Sequence, residues 1–270
     1  MRRILFLLIP WTVALGLGCG SMVQSSPLGR TQLRLFPADE MDKMGATAYQ
    51  QMKDEMPQST NQAAIRYVNC VAKAVAREAS GPAAPAGWEV TVFQEDSANA
   101  FALPGGKIGV HTGLLKVATD QGQLAAVIGH EISHVLAQHG NERASTTFVA
   151  QSGLQVIQSL SGPASPMRDQ ALAALGLGAQ VGVLLPFSRA QEREADLLGL
   201  DLMASAGFDP RASVALWQNM QQAAGAGAPP ELLSTHPSGA SRIRELEARM
   251  PSAMAIYEKA RAAGKRPSCS

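Results

Sequence analysis

The chain carries His130-Glu131-Ile132-Ser133-His134, two histidines four residues apart with a glutamate between them. On a helix such histidines lie about 40° apart around the axis and one turn along it. Both imidazoles then face one way and can share a single Zn²⁺ at about 2.0–2.1 Å. Glu131 is turned about 100° from His130, off the metal yet beside it. That is where a base must sit to take a proton from metal-activated water. The pattern alone is a moderate signal, since an ordinary amphipathic helix can also hold two histidines. Its setting strengthens it. Leu124, Val127, Ile128 and Val135 make the helix largely apolar, and ionisable groups in such a helix need a reason.

A catalytic zinc needs a third protein ligand. An extended HExxHxxGxxH pattern would require glycine at 137 and histidine at 140. The chain has Ala137 and Gly140, with His139 one place early, so this arrangement is excluded. His139 then reads as a helix-end histidine favoured by the negative end of the dipole. The other source is a carboxylate from a later helix, and Gln191-Glu192-Arg193-Glu194-Ala195-Asp196 supplies it. Glu192 and Asp196 share a face at i, i+4, whereas Glu194 points elsewhere. Glu192 is assigned as ligand. Asp196 is assigned as its partner one layer out, holding a ligating histidine by its other nitrogen.

The elements that must position these groups are mainly helical. Met41, Met44, Ala48, Met52 and Met56 recur at helical spacing and form a core stripe from Asp39 to Met56. A second helix runs from about Thr60 to Ala79, with Ile65, Val68, Val71, Ala72 and Val75 inward. Trp88 to Phe93 alternates like a strand. Asn99 to Leu103 and Lys107 to His111 flank Pro104-Gly105-Gly106 and read as a hairpin. Gly122 to His139 is a helix. Residues 146–187 are small and apolar, broken at Gly162-Pro163 and Pro166. The uncharged piece Ala171 to Leu185 is too short to span a bilayer and reads as a buried helix or a lid. Gln191 to Ala206, Arg211 to Ala224 and two helices within 239–263 follow. The fold class is α+β, mainly helical, with one domain over 38–265.

At 270 residues the chain is long enough to bury a core without staples. A 46% hydrophobic and 17% charged composition excludes global disorder. A net charge of +1 and 5% aromatic content speak against nucleic acid as a partner.

The first residues read as a processing signal. Arg2 and Arg3 precede an uncharged run from Ile4 to Gly18, about 22 Å as a helix and short of a membrane span. Residues 1–18 are a signal peptide by this pattern. Leu15-Gly16-Leu17-Gly18-Cys19 resembles a bacterial lipobox, with Gly16 and Leu17 departing from its usual residues. Cys19 would become the lipidated first residue. Ser, Gly, Pro and Gln in 19–37 read as a tether. Gly20 and Ser21 after the cysteine favour the outer membrane by resemblance to bacterial sorting rules. Cys70 and Cys269 remain and could pair in an oxidising compartment, closing a loop worth roughly 5 kcal/mol, or stay as free thiols.

Taken together, these stretches resemble the HtpX and CAAX-prenyl-protease type of zinc metallopeptidase, in particular its soluble periplasmic lipoprotein (LoiP/BepA-like) branch. The matching residues are Asn99 to Gly106, Gly109 to Leu115, Gly129 to His139, Phe187 to Asp196 and Thr235-His236-Pro237, in the family's order. The resemblance implies a zincin-like fold, one Zn²⁺ per chain and Glu192 of ExxxD as third ligand. It places His236 near the metal, where it could stabilise the oxyanion of a tetrahedral intermediate. Arg242 matches a recurrent arginine. His111 reads as structural. Asn99, Ala100, Phe101, Ala102 and Leu103 form the candidate edge strand that would hold an extended peptide by main-chain hydrogen bonds.

The implied function is a periplasmic zinc endopeptidase, with Glu131 as general base and water in the fourth metal position. The implied substrates are unfolded or misassembled envelope proteins, with the membrane reached through the lipid anchor and outer-membrane assembly machinery as a partner. The alternatives are a non-proteolytic chaperone using the same cleft, a latent protease capped by 140–186 or by His236, and a structural-zinc lipoprotein. The last needs a fourth protein ligand, which no motif supplies.

Overall fold

A computed structural model of the chain describes residues 22–160, 187–225, 231–232, 236 and 240–270. In chain order these contain β1 (Val23–Ser25), β2 (Thr31–Leu33), α1 (Ala38–Glu55), α2 (Gln62–Ala76), β3 (Glu89–Phe93), β4 (Ala100–Leu103) and β5 (Lys107–His111). A short 3₁₀ turn, Thr112–Lys116, follows. Then come α3 (Gln121–Leu136), α4 (His139–Leu160), α5 (Arg189–Ser205), α6 (Ala212–Gly225) and α7 (Ala240–Ala262). The expected signal peptide, Cys19 and the Ala171 to Leu185 piece lie outside the described residues. No helix among the described residues is long and apolar enough to cross a membrane.

Helix α3 is central, with every residue from Gly122 to Val135 buried. Asp120 caps its start by accepting from Gln123 N–H at 2.9 Å. Val68, Val71, Ala72 and Val75 of α2 meet it in one core with Leu200 and Met203 of α5, Leu216 and Met220 of α6, and Leu246 and Ala253 of α7. The sheet lies alongside, in the order β3-β5-β4. β3 pairs parallel with β5, and β4 pairs antiparallel with it, so β4 is an outer strand. The turn at Gly105 and Gly106 holds both residues at positive φ, 77° and 75°, which glycine accepts without strain. His111 N–H donates to Asn99 O at 3.0 Å and extends the ladder by one residue before the strand proper.

Four expectations are corrected. Residues 22–37 are not a free tether. β1 and β2 form an antiparallel hairpin, and its second strand lies against α4. The physical reason is polar: Gln32 is buried and donates to Ala137 O at 2.8 Å, and Arg30 forms an ion pair with Glu142. The helix predicted to reach His139 stops at Leu136, because Gln138 turns left-handed at φ 52° and starts α4 in a new direction. The two helices predicted within 239–263 are one, running through Pro251. Leu246, Met250, Ala253, Ile256 and Tyr257 keep one apolar stripe packed on the core across the proline and offset its cost of about 3 kcal/mol. The methionine stripe is rotated. Met41, Gly45 and Tyr49 face inward and Met44 is exposed, because the Pro104 carbonyl occupies the place where a Cβ at Gly45 would stand.

Cys70 and Cys269 form a disulfide with their Cα atoms 5.7 Å apart. It returns the C-terminal tail to α2, and Cys269 N–H also donates to Gln121 Oε1 at the start of α3 at 2.9 Å.

Candidate metal centre

Two glycines set the site. A Cβ on Gly129 of α3 would lie 2.8 Å from Gly199 O of α5, and a Cβ on Gly199 would lie 2.7 Å from His130 N. The two helices therefore touch backbone to backbone beside His130, closer than any side chain allows. Ser188 caps α5 in a reciprocal box with Gln191, which fixes the first turn that carries Glu192. The crossing brings Glu192 and Asp196 against His130 and His134. All four residues are buried.

His130 Nε2 and His134 Nε2 lie 3.0 Å apart. Glu192 Oε2 is 3.4 Å from the first and Oε1 is 3.4 Å from the second. His236 Nδ1 completes the cluster, 3.2 Å from His130 Nε2 and 2.8 Å from Glu192 Oε1. One donor atom from each of His130, His134, Glu192 and His236 lies within 4.8 Å of the others. Four donors held about 2.0–2.1 Å from a tetrahedral ion are about 3.3 Å from each other, so the spacing fits a divalent metal. The charge fits too. His130 Nε2 and His134 Nε2 face each other at 3.0 Å, so both lone pairs can be turned to one ion. Burial and the Arg242 guanidinium both lower the His130 pKa, yet Glu192 and Asp196 raise it overall to about 9. Burial pushes the Glu192 carboxyl up, but His130, His134 and His236 together hold it well below the carboxylate range. Burial lowers His134 well below the ordinary histidine value.

His130 Nδ1 lies 3.0 Å from Asp196 Oδ1, so that carboxylate fixes the ring with its proton on Nδ1. Arg242, stacked 3.6 Å over Trp217, donates from Nη2 to Asp196 Oδ1 at 2.7 Å and pairs with Glu192 Oε2 at 2.9 Å. The sequence pattern gives Arg242 no role. Its position shows one: it balances two buried carboxylates. Glu131 is buried with Oε1 free of hydrogen bonds and 3.4 Å from His236 Nε2. Burial raises its pKa above 4.5, although His236 and His130 oppose the shift. The Ala102 backbone also bonds the Glu131 carboxylate, which brings the outer strand β4 to the base.

The fourth corner holds His236, which the resemblance places near the metal and the latent-protease alternative has capping it, where the main reading expects water. His236 N–H donates to Leu232 O at 2.8 Å, and Leu232 N–H to Ala98 O at 3.1 Å, two residues before β4. Phe187 stacks 5.3 Å from the His236 ring and lies 4.0 Å from that of His134. A cavity of about 210 Å³ opens beside His134, between Met41, Leu103, Pro104, Val135 and Phe187.

One further residue departs from expectation: His139 is fully buried and reaches back to His134, Nδ1 to Nδ1, at 2.8 Å. Glu194 points away from the cluster, as expected, and accepts from His139 Nε2 at 3.1 Å. The spacing of His139 carries no recognised pattern, because the left-handed Gln138 takes it off the helix. His111 is outside the cluster, as expected, and bonds Ser97 Oγ at 2.8 Å.

A buried HExxH helix crossed by an ExxxD helix, with a small sheet offering an outer strand to the base, defines an HExxH-type metallopeptidase domain. The model of peptidase family M48 matches residues 62–250, and the chain belongs to that family. It is 40% identical over 172 residues to the mitochondrial metalloendopeptidase OMA1 of Schizosaccharomyces pombe, covering 63% of this chain and 49% of the relative. It is 36% identical over 250 residues to the OMA1 metalloendopeptidase of Danio rerio, covering 87% of this chain and 52% of the relative. It is 28% identical over 211 residues to the beta-barrel assembly-enhancing protease of Escherichia coli O157:H7, covering 75% and 42%. The chain thus spans about half the length or less of these curated relatives.

Proposed function

We propose that this chain is a zinc-dependent endopeptidase acting on unfolded or misassembled cell-envelope proteins. The observation that carries the reading is the buried cluster of His130, His134, Glu192 and His236, with a Glu131 oxygen beside it that accepts no hydrogen bond. Two imidazoles and a carboxylate suit zinc. His130, His134 and Glu192 would hold the ion, which would supply Lewis-acid polarisation of a carbonyl and acidification of water toward a pKa of about 7. Glu131 takes the proton from the attacking water, holds it on its carboxylate and delivers it to the leaving amine. Ala100 to Leu103 of β4 offer an extended peptide main-chain hydrogen bonds, indifferent to side-chain identity. The apolar cavity beside His134 suits a large aliphatic or aromatic residue next to the scissile bond. The leader pattern supports a periplasmic, outer-membrane-anchored lipoprotein of a Gram-negative bacterium, tethered through Cys19. The likeness to beta-barrel assembly-enhancing proteases supports an envelope setting and contact with outer-membrane assembly machinery.

The test is Glu131→Gln. It is expected to keep the metal and the fold and to lose casein hydrolysis by about 100-fold or more. Unchanged turnover rejects the role of Glu131. Metal held with no turnover in the unaltered chain favours a non-proteolytic assembly factor.

A second reading, a latent protease, is favoured by the position of His236 in the fourth corner. Its ring must turn away before water can enter, after which it is placed to donate to the developing oxyanion. His236→Ala separates the two roles. Basal casein turnover rises if capping dominates and falls if oxyanion stabilisation does.

A further inference from the structure

Glu194 is as buried as the metal ligands, yet the peptidase mechanism does not use it. Its partners come from the N-terminal hairpin. Leu28 N–H donates to Oε1 at 3.1 Å, Arg30 Nε donates to Oε2 at 3.2 Å, and the Ser26 hydroxyl adds a further bond. The other nitrogens of Arg30 grip Glu142, Nη1 at 2.5 Å and Nη2 at 2.6 Å. Gln191 Nε2 donates to the same Glu142 at 2.7 Å. Gln32 donates to Ala137 O at 2.8 Å, at the left-handed turn that delivers His139. An ionised carboxylate only accepts, so His139 carries its proton on Nε2 and leaves Nδ1 as an acceptor. That Nδ1 faces His134 Nδ1 at 2.8 Å. His134 therefore donates from Nδ1, and its lone pair lies on Nε2, inside the metal cluster.

We propose that the hairpin of residues 22–33 is a working part of the metal centre: through Arg30, Glu194 and His139 it sets the tautomer and aim of His134. His139 and Glu194 are positioning residues, and Arg30 is the clamp that holds them. The inference rests on the metal-centre reading above.

The test measures Zn²⁺ affinity of the full chain by competition with a chromophoric chelator, and ligand geometry by the visible absorption of the Co²⁺ form. His139→Leu removes the acceptor and is expected to weaken Zn²⁺ binding ten- to a hundredfold, with a shifted Co²⁺ spectrum. His139→Gln returns an acceptor oxygen and is expected to recover most of the affinity. Arg30→Gln, at a partly exposed position, is expected to weaken binding severalfold with the far-UV spectrum unchanged. Unaltered affinity and Co²⁺ spectra in His139→Leu and Arg30→Gln overturn the inference, whatever happens to thermal stability. Should His139→Leu fail to fold, Arg30→Gln decides alone. Absence of metal binding by the unaltered chain overturns the metal-centre reading instead.

Discussion

The two ligating histidines of α3 are held from behind in different ways. His130 has a carboxylate directly on Nδ1: Asp196, one helical turn beyond Glu192 and balanced by Arg242 of α7. His134 reaches its carboxylate only through His139, and that carboxylate is held by a hairpin at the other end of the chain. The first support uses helices already packed in the core. The second recruits a segment whose buried side chains, Ser26 and Gln32, are polar, and which is held by ion pairs and hydrogen bonds. One ligand is therefore braced by the domain's main packing, and the other by a docked element that can be loosened separately.

The largest expected effect comes from breaking the direct support. Asp196→Ala leaves Arg242 with one carboxylate where it had two and frees His130 Nδ1. Stability should fall by about 3–5 kcal/mol in urea unfolding, with a ten- to hundredfold loss of metal affinity. Reduction of Cys70–Cys269 comes next. It should lower stability by about 2–5 kcal/mol yet leave metal affinity unchanged, since the bridge ties the tail to α2 and touches neither support. A change in metal affinity on reduction would mean that the two supports are not independent of global packing. The smallest effect is on the hairpin and follows pH. Burial raises the Glu142 pKa, but the bonds from Arg30 and Gln191 bring it below 4.5. A carboxylate depressed in the folded state contributes stability above its unfolded value and loses it as pH falls further. Amide-exchange protection of residues 22–33 should therefore decline below about pH 4.5, ahead of α3. Equal loss in both regions would show that the hairpin is not a separate unit.

The direct support is legible in the sequence and the relayed one is not. Glu192 and Asp196 share a helix face by their i, i+4 spacing, and the need of a zinc for a third ligand points that face at the HExxH histidines. The β4–β5 hairpin is legible because Pro104-Gly105-Gly106 is turn chemistry, and the end of α5 because Gly207 takes φ 86°. His139 escapes such reasoning because a periodic helix pattern runs straight through Gln138, and nothing local marks a glutamine that turns left-handed. The N-terminal hairpin resembles a tether because its composition is polar. Its buried bonds, from Gln32 and Arg30, are made to residues more than a hundred positions away.

The sequence by itself determined the local geometry: where most of the helices lie, that two imidazoles share one face of α3, and that Glu192 and Asp196 share one face of α5. Those follow from backbone periodicity, which neighbouring residues impose. Only the tertiary structure decided that His236 stands in the fourth corner, that Arg242 lies between two carboxylates, and that the N-terminal hairpin backs His134. Each depends on long-range charge pairing in a desolvated interior, where a buried ion is tolerated only if the packed chain brings it a partner.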